Sequence, residues 1–239
     1  MSAGMCVHSL CYMHNETSSI YSHLLPALYQ TAQLVLLLTG MGPYAEFTTR
    51  TSFVVQLTCC VSIMFCMYMS SAYHTFLCLS NKHFHWLLKL DLVGIGLMIF
   101  GLTLASVYIG FHNWPAERSF ILMVMSSLMV GNCLIQMTPC YTEDRFECHR
   151  IVFYTAILVV CLALAISARF VYGTEYEIEH FYGMLERAFL YLFIGFFFYM
   201  SGFPESRFKR RPWVQLYLNS HFWWHVFTFA NGYTMYWLC

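Results

Sequence analysis

The stretch NSHFWWHVF, Asn219 to Phe227, opens the last apolar run of this 239-residue chain and carries two histidines four residues apart, His221 and His225. In a helix, residues i and i+4 lie on one face, so both imidazoles point the same way. Ionisable side chains inside a membrane helix are expensive and face the bundle interior or a water-filled cavity. Two of them one turn apart therefore call for a compensating partner elsewhere in the chain. His-x-x-x-His alone is a weak signal, because a buried histidine can simply hydrogen-bond a neighbouring helix.

The composition sets the class. Hydrophobic residues make up 59% of the chain and charged residues 10%, with a mean hydropathy of +0.57; a soluble domain has about 25% charged residues. A polytopic membrane protein is expected. The formal net charge is zero, so no basic field points to nucleic acid as a partner. Of eleven cysteines, Cys59, Cys60, Cys66, Cys133 and Cys161 fall inside apolar runs, where they serve as small packing residues, and no Cys-x-x-Cys pair occurs. Reduced, structural cysteines are expected. The start, MSAGMCVHSLCYMHNETSS, lacks the basic then apolar pattern of a signal peptide. It does hold the glycosylation acceptor pattern Asn15-Glu16-Thr17.

A spanning helix needs roughly 20 mostly apolar residues. Seven stretches qualify, at about 20–39, 52–79, 86–109, 120–138, 151–172, 184–203 and 217–238, joined by short links with breakers such as FHNWP, MTPCY and KRRP. Without repeat or linker, the expectation is an all-α membrane protein, a single seven-transmembrane domain over 1–239. Orientation follows the basic residues. Lys82, Lys89, Arg145, Arg150, Arg207, Lys209, Arg210 and Arg211 share the side of the N-terminus, eight in all, against Arg50, Arg118, Arg169 and Arg187, four in all, on the other. That puts the N-terminus in the cytoplasm and the C-terminus outside, and makes the acceptor pattern silent. The acidic link GTEYEIEHFYG, with Glu175, Glu177 and Glu179, then lies outside as a solvated face rather than a cation site.

Polar residues gather near the cytoplasmic ends of three spans. The second ends YMSSAYHTFLCLS, with Ser70 and His74; the third begins WLLKLDLVGIG, with Asp91; the seventh brings His221 and His225. With the turn centred near Lys82–His83, His74 and Asp91 lie about eight residues to either side. At 1.5 Å rise per residue they are expected at one height. Ser70 shares a face with His74 one turn deeper. Three neutral imidazoles with an open fourth position describe a catalytic zinc site, in which zinc lowers the pKa of water to roughly 7. Asp91 would accept a proton from that water or hold it, and Ser70 would donate to a developing oxyanion or to substrate. The bland alternative pairs Asp91 with Lys89 or a loop cation and leaves the histidines as helix-to-helix hydrogen bonders. His83, His85 and His149, on the same side, are read as interfacial residues and as the alternative ligands. Trp223 and Trp224 are read as packing or lipid-facing rings, not substrate contacts.

At these residues the chain resembles the progestin and adipoQ receptor family, which includes adiponectin receptors, fungal relatives and bacterial haemolysin III-type proteins. HNETSSIYSHLLP resembles the family's His-x-Glu-Thr-x-x-Ile-[Trp/Tyr]-[Ser/Thr]-His-Leu-Leu entry to the first helix; SSAYH matches its Ser-x-x-x-His, KLDLVGI its [Lys/Arg]-Leu-Asp-Tyr-x-Gly-Ile, GFPESRF its Pro-Glu-Arg turn, and NSHFWWHV its Ser-His-x-x-x-His-Val. The motifs run in order over nearly the whole chain. The resemblance implies seven helices, a cytoplasmic N-terminus and a zinc ion held by His74, His221 and His225, with Asp91 holding water and Ser70 beside it. Because the family is similar to a wider group of membrane hydrolases that includes alkaline ceramidases, it also implies hydrolysis of the ceramide amide to a sphingoid base and a fatty acid. Three departures stand out: Leu92 replaces the tyrosine after the aspartate, Phe-Trp-Trp between the histidines is bulkier than the usual Gln-Ile-Phe, and Ser206 interrupts the Pro-Glu-Arg turn. The few residues outside the first and last spans weaken the expectation of signalling through appended regions.

The sequence thus supports a zinc-dependent intramembrane lipid amide hydrolase, with membrane lipids (ceramide, sphingoid base, fatty acid) as its partners. The alternative is a seven-helix receptor or sensor for an extracellular or lipid ligand, with structural zinc and no turnover. A channel is disfavoured because no row of charges lines successive depths, and a transporter because no repeat is present. The expected location is the plasma membrane or the ER and Golgi membranes.

Overall fold

In the computed structural model, which describes residues 2–42 and 50–238, the helices follow the apolar runs. A short α1 (Ala3–His8) precedes α2 (Thr17–Thr39), α3 (Arg50–Phe76), α4 (Asn81–Gly110), α5 (Pro115–Met137) and α6 (Glu147–Ser167). Wide π-helical turns at Ala168–Tyr172 and Ile178–Tyr182 flank a one-turn α7 (Glu175–Glu177), followed by α8 (Gly183–Ser201), a short α9 (Pro212–Tyr217) and α10 (Ser220–Tyr236). No strand occurs among the described residues. Each of the seven expected spans is a helix with ends displaced by a few residues. The last is an exception in form: it breaks at Leu218 and restarts at Ser220, where the Asn219 side chain accepts from the Phe222 amide and caps the new helix.

Among the described residues, five helical stretches are long and apolar enough to cross a membrane: Arg50–Phe76, Asn81–Gly110, Pro115–Met137, Asp144–Tyr172 and Glu175–Ser201. α2 and α10 fall outside that set for a physical reason. α10 has 17 residues and includes His221, His225 and Asn231, and α2 buries Ser19, His23, Gln30 and Gln33. Their polar side chains point inward, which lowers hydropathy without exposing them. α10 packs against α8, α2, α3 and α4. α5 and α6 lie at the margin, and α6 buries none of its residues.

Small residues set the spacing of α3 and α4. A Cβ added at Gly94 would stand 3.0 Å from the Cys66 Cα, and one at Gly101 would stand 2.1 Å from the Ser62 Oγ. Cys59, Cys60 and Cys66 are buried at or near this seam, as packing residues should be. The seam also fixes the register. Tyr73 meets Phe84 at 5.6 Å between ring centroids, Cys66 meets Gly94, and the Cys59 thiol lies 3.4 Å from the Gly101 carbonyl. The turn therefore centres near 79–80, earlier than the Lys82–His83 expected, because α3 ends at Phe76 and α4 begins at Asn81. Asp91 consequently lies opposite Ser70, one turn deeper than His74. Overpacking a tight seam costs about 1–3 kcal/mol. Gly94→Val is expected to lower the melting temperature of the purified protein in detergent, whereas Gly131→Val, with nothing within 4 Å of its added Cβ, is expected to leave it nearly unchanged.

Candidate metal centre

His74, His221 and His225 converge: one ring nitrogen from each lies within 4.8 Å of the others. The Nε2 atoms of His221 and His74 are 3.3 Å apart. Two nitrogens bound to one tetrahedral zinc at ~2.0–2.1 Å are separated by about that distance. The outer nitrogens are already engaged. His74 Nδ1 lies 2.9 Å from Glu16 Oε2, and His225 Nδ1 lies 2.9 Å from the Ser22 hydroxyl. Ser22 donates to the Ser19 carbonyl at 2.9 Å, so it accepts from His225. A carboxylate or hydroxyl on Nδ1–H leaves the Nε2 lone pair free for a metal. The hydrogen bond from His74 holds the Glu16 carboxyl below the usual carboxylate range, which keeps it an acceptor. These residues fit a zinc ion.

Local structure puts each group in place. Glu16 sits in a bend where the His14 amide donates to Thr17 Oγ1 at 2.8 Å and the Glu16 amide to His14 Nδ1 at 3.2 Å. The start of α10 is anchored by Glu205, whose carboxylate accepts from the Ser220 amide at 2.7 Å and from the Ser220 hydroxyl. An anion at a helix N-terminus is favourable, and here it fixes the turn that carries His221. A fourth imidazole, His23, is buried and stacks on His225 with centroids 3.8 Å apart and planes 18° off parallel; it lies outside the converging trio.

Asp91 and Ser70 stand on facing turns of α4 and α3 and line one cavity with the three histidines. Lys89 donates to the Met137 carbonyl at 3.2 Å, so the pairing of Asp91 with Lys89 does not occur. The loop histidines are engaged elsewhere: His83 with Ser80 at 2.7 Å, His85 with Thr142 at 3.0 Å, and His149 against the Phe146 ring. Leu92 leaves no hydroxyl at the position after Asp91, yet Tyr154 of α6 donates to the Leu92 carbonyl at 2.6 Å.

A cavity of about 460 Å³ joins these groups. At its polar end stand Ser70, His74, Asp91, His221 and His225; Asp144, Glu147 and Arg150 line the same end, and the walls then run through Leu102 and Leu192 to Phe111 and Phe181 at the opposite end. Such a volume, apolar with a few convergent polar groups, is that of a small-molecule site. Trp224 packs against α8, where a Cβ at Gly195 would meet its Cε3 at 3.3 Å and the Tyr199 ring lies 5.7 Å away, and it also lines the cavity wall. Trp223 does pack, stacked on Phe198 at 5.6 Å. Sequence spacing missed Glu16, Ser22, His23 and Glu205 as parts of the site, although all four lie inside the HNETSSIYSHLLP and GFPESRF segments.

Comparison with known proteins identifies the family. The family model described as haemolysin-III related matches residues 11–236. Progestin and adipoQ receptor family member 3 of Mus musculus is 25% identical over 94% of this chain and 76% of its own length. The ADIPOR-like receptor IZH2 of Saccharomyces cerevisiae is 29% identical over 66% of this chain and 48% of its own. Heptahelical transmembrane protein 1 of Arabidopsis thaliana is 25% identical over 95% of this chain and 69% of its own. With nearly its whole length matched and several apolar helices in its fold, the chain is an integral, multi-pass membrane protein of the haemolysin-III related family.

Proposed function

We propose that this protein is a zinc-dependent hydrolase of lipid amides of the ceramide type, working inside the membrane near the cytoplasmic leaflet. The observation that carries the reading is the meeting of three imidazoles with Asp91 and Ser70 at the polar end of an otherwise apolar cavity. The seven-span topology with a cytoplasmic N-terminus belongs to the same reading, supported by the balance of basic residues and by the seven helices in the name of the Arabidopsis relative.

A zinc ion held by His74, His221 and His225 would supply a Lewis acid and bring the pKa of water toward ~7. Glu16 and Ser22 keep two of the imidazoles in the orientation that binding requires. Asp91 takes the proton of the attacking water and returns it to the amine as the carbon–nitrogen bond breaks. Ser70, beside Asp91 in the cavity wall, donates to the developing oxyanion or to substrate. The apolar walls take the acyl chain and keep water from it. The products are a fatty acid and a sphingoid base.

The relatives named as receptors favour a second reading, in which the same site senses a lipid or extracellular ligand and the metal only joins α3 to α10. Turnover decides between the two. Purified protein is expected to release fatty acid from a panel of ceramides, and His225→Ala to release none; zinc-loaded wild type with no release from any ceramide would leave the sensor reading. Asp91→Asn is expected to keep its zinc and to lose ~10²–10⁴-fold in kcat. Glu16→Gln is expected to weaken zinc binding ~10–100-fold in chelator competition; undiminished affinity would remove Glu16 from the site's support.

A further inference from the structure

Cys59, Cys60 and Cys66 are buried inside the bundle as packing residues. Cys6 and Cys78 lie outside it. Cys6 belongs to α1, and Cys78 to the turn that follows α3, two residues beyond Phe76. They are 72 residues apart in the chain, yet their sulfurs lie 3.8 Å from each other. Both are free thiols, Cys6 buried and Cys78 exposed. α1 also packs against α3 itself, so docking of the first helix is what brings the two sulfurs together. An accessible thiol poised beside a second one is the arrangement of a redox-sensing cysteine with its resolving partner. In a reducing compartment such a disulfide is transient and regulatory, not structural.

We propose that Cys6 and Cys78 are a redox-active pair that closes to a disulfide under peroxide and clamps α1 onto the end of α3. The Cys78 thiolate attacks one peroxide oxygen; an S–O bond forms, the O–O bond breaks and hydroxide leaves. The Cys6 thiolate then attacks the Cys78 sulfur; the S–S bond forms, the S–O bond breaks and a second hydroxide leaves. The two protons given up by the thiols turn both hydroxides into water, and two electrons pass from sulfur to peroxide. Two molecules of a small thiol such as glutathione reverse the reaction by exchange. The clamp acts beside the histidines. Cys78 is four residues past His74, and the segment between α1 and α2 carries Glu16, which lies 2.9 Å from His74 Nδ1. A six-residue helix outside the bundle opens readily, and tying it down suppresses that opening.

The test treats the purified, fully reduced chain with a slight molar excess of hydrogen peroxide and follows it by thiol counting and peptide mass mapping. Two thiols per chain are expected to disappear, a linked Cys6–Cys78 peptide to form, and glutathione to reverse both changes. Cys6→Ser and Cys78→Ser, each checked for wild-type melting temperature, are expected to form no such link, and Cys11→Ser to keep it. Hydrogen exchange at the α1 amides is expected to slow several-fold on oxidation of the wild type and to be unaffected by peroxide in Cys6→Ser. Oxidation of Cys78 to sulfinic or sulfonic acid without a link, or a link from either cysteine to Cys11, overturns the proposal. So does survival of both thiols under peroxide, or exchange at α1 that the disulfide leaves unchanged. None of these readouts involves turnover or metal, so the outcome is independent of the amidase reading.

Discussion

Burying imidazoles in an apolar bundle is the constraint on which this structure turns. An unpaired polar group in the interior costs ~1–3 kcal/mol, and several ring nitrogens cluster near the ends of α2, α3 and α10. The fold answers on the outer side of the rings, with Glu16 on His74 and Ser22 on His225. The inner nitrogens are thereby turned toward one another, 3.3 Å apart for His74 and His221. At that distance one ring can donate its N–H to the other, and the same two nitrogens are spaced as two ligands of one metal ion would be.

The rest of the bundle serves this cluster. Gly94 and Gly101 let α4 approach α3 closely, which sets Asp91 and Ser70 in one cavity wall. The break at Leu218 and the Glu205 anchor start α10 at the level where His221 meets His74. Gly195 brings α8 against Trp224 and Phe227, closing one wall of the cavity. Polar groups are concentrated at one end of that cavity and apolar ones through the remainder. That gradient suits a lipid whose reacting group lies near a headgroup and whose chain runs inward.

Hydropathy made the helices legible, because each apolar run is longer than a core helix needs. The polar faces of α2 and α10 were harder to weigh. Their histidines and glutamines point inward, a fact that spacing within one helix does not reveal. His-x-x-x-His in α10 and Ser-x-x-x-His in α3 exposed the trio, since helical periodicity alone puts those pairs on shared faces. Asp91 was found by counting from a turn, and the count erred by about one turn because α3 ends earlier than its apolar run. Glu16, Ser22 and Glu205 escaped because their contacts cross between elements far apart in the chain. Ser19, Ser22 and His23, spaced as one face of an otherwise apolar helix, were the signal available. Tyr154 could not have been assigned to the Leu92 carbonyl without the packing of α6.

The central claim is that His74, His221 and His225 hold one zinc ion between them. Elemental analysis of protein purified without added metal or chelator tests it most directly, with His221→Ala carried alongside. The account predicts about one zinc per chain in the wild type and a large loss in the variant at equal fold content. Wild-type protein without zinc that also fails to take it up, or a variant that keeps its full complement, would contradict it.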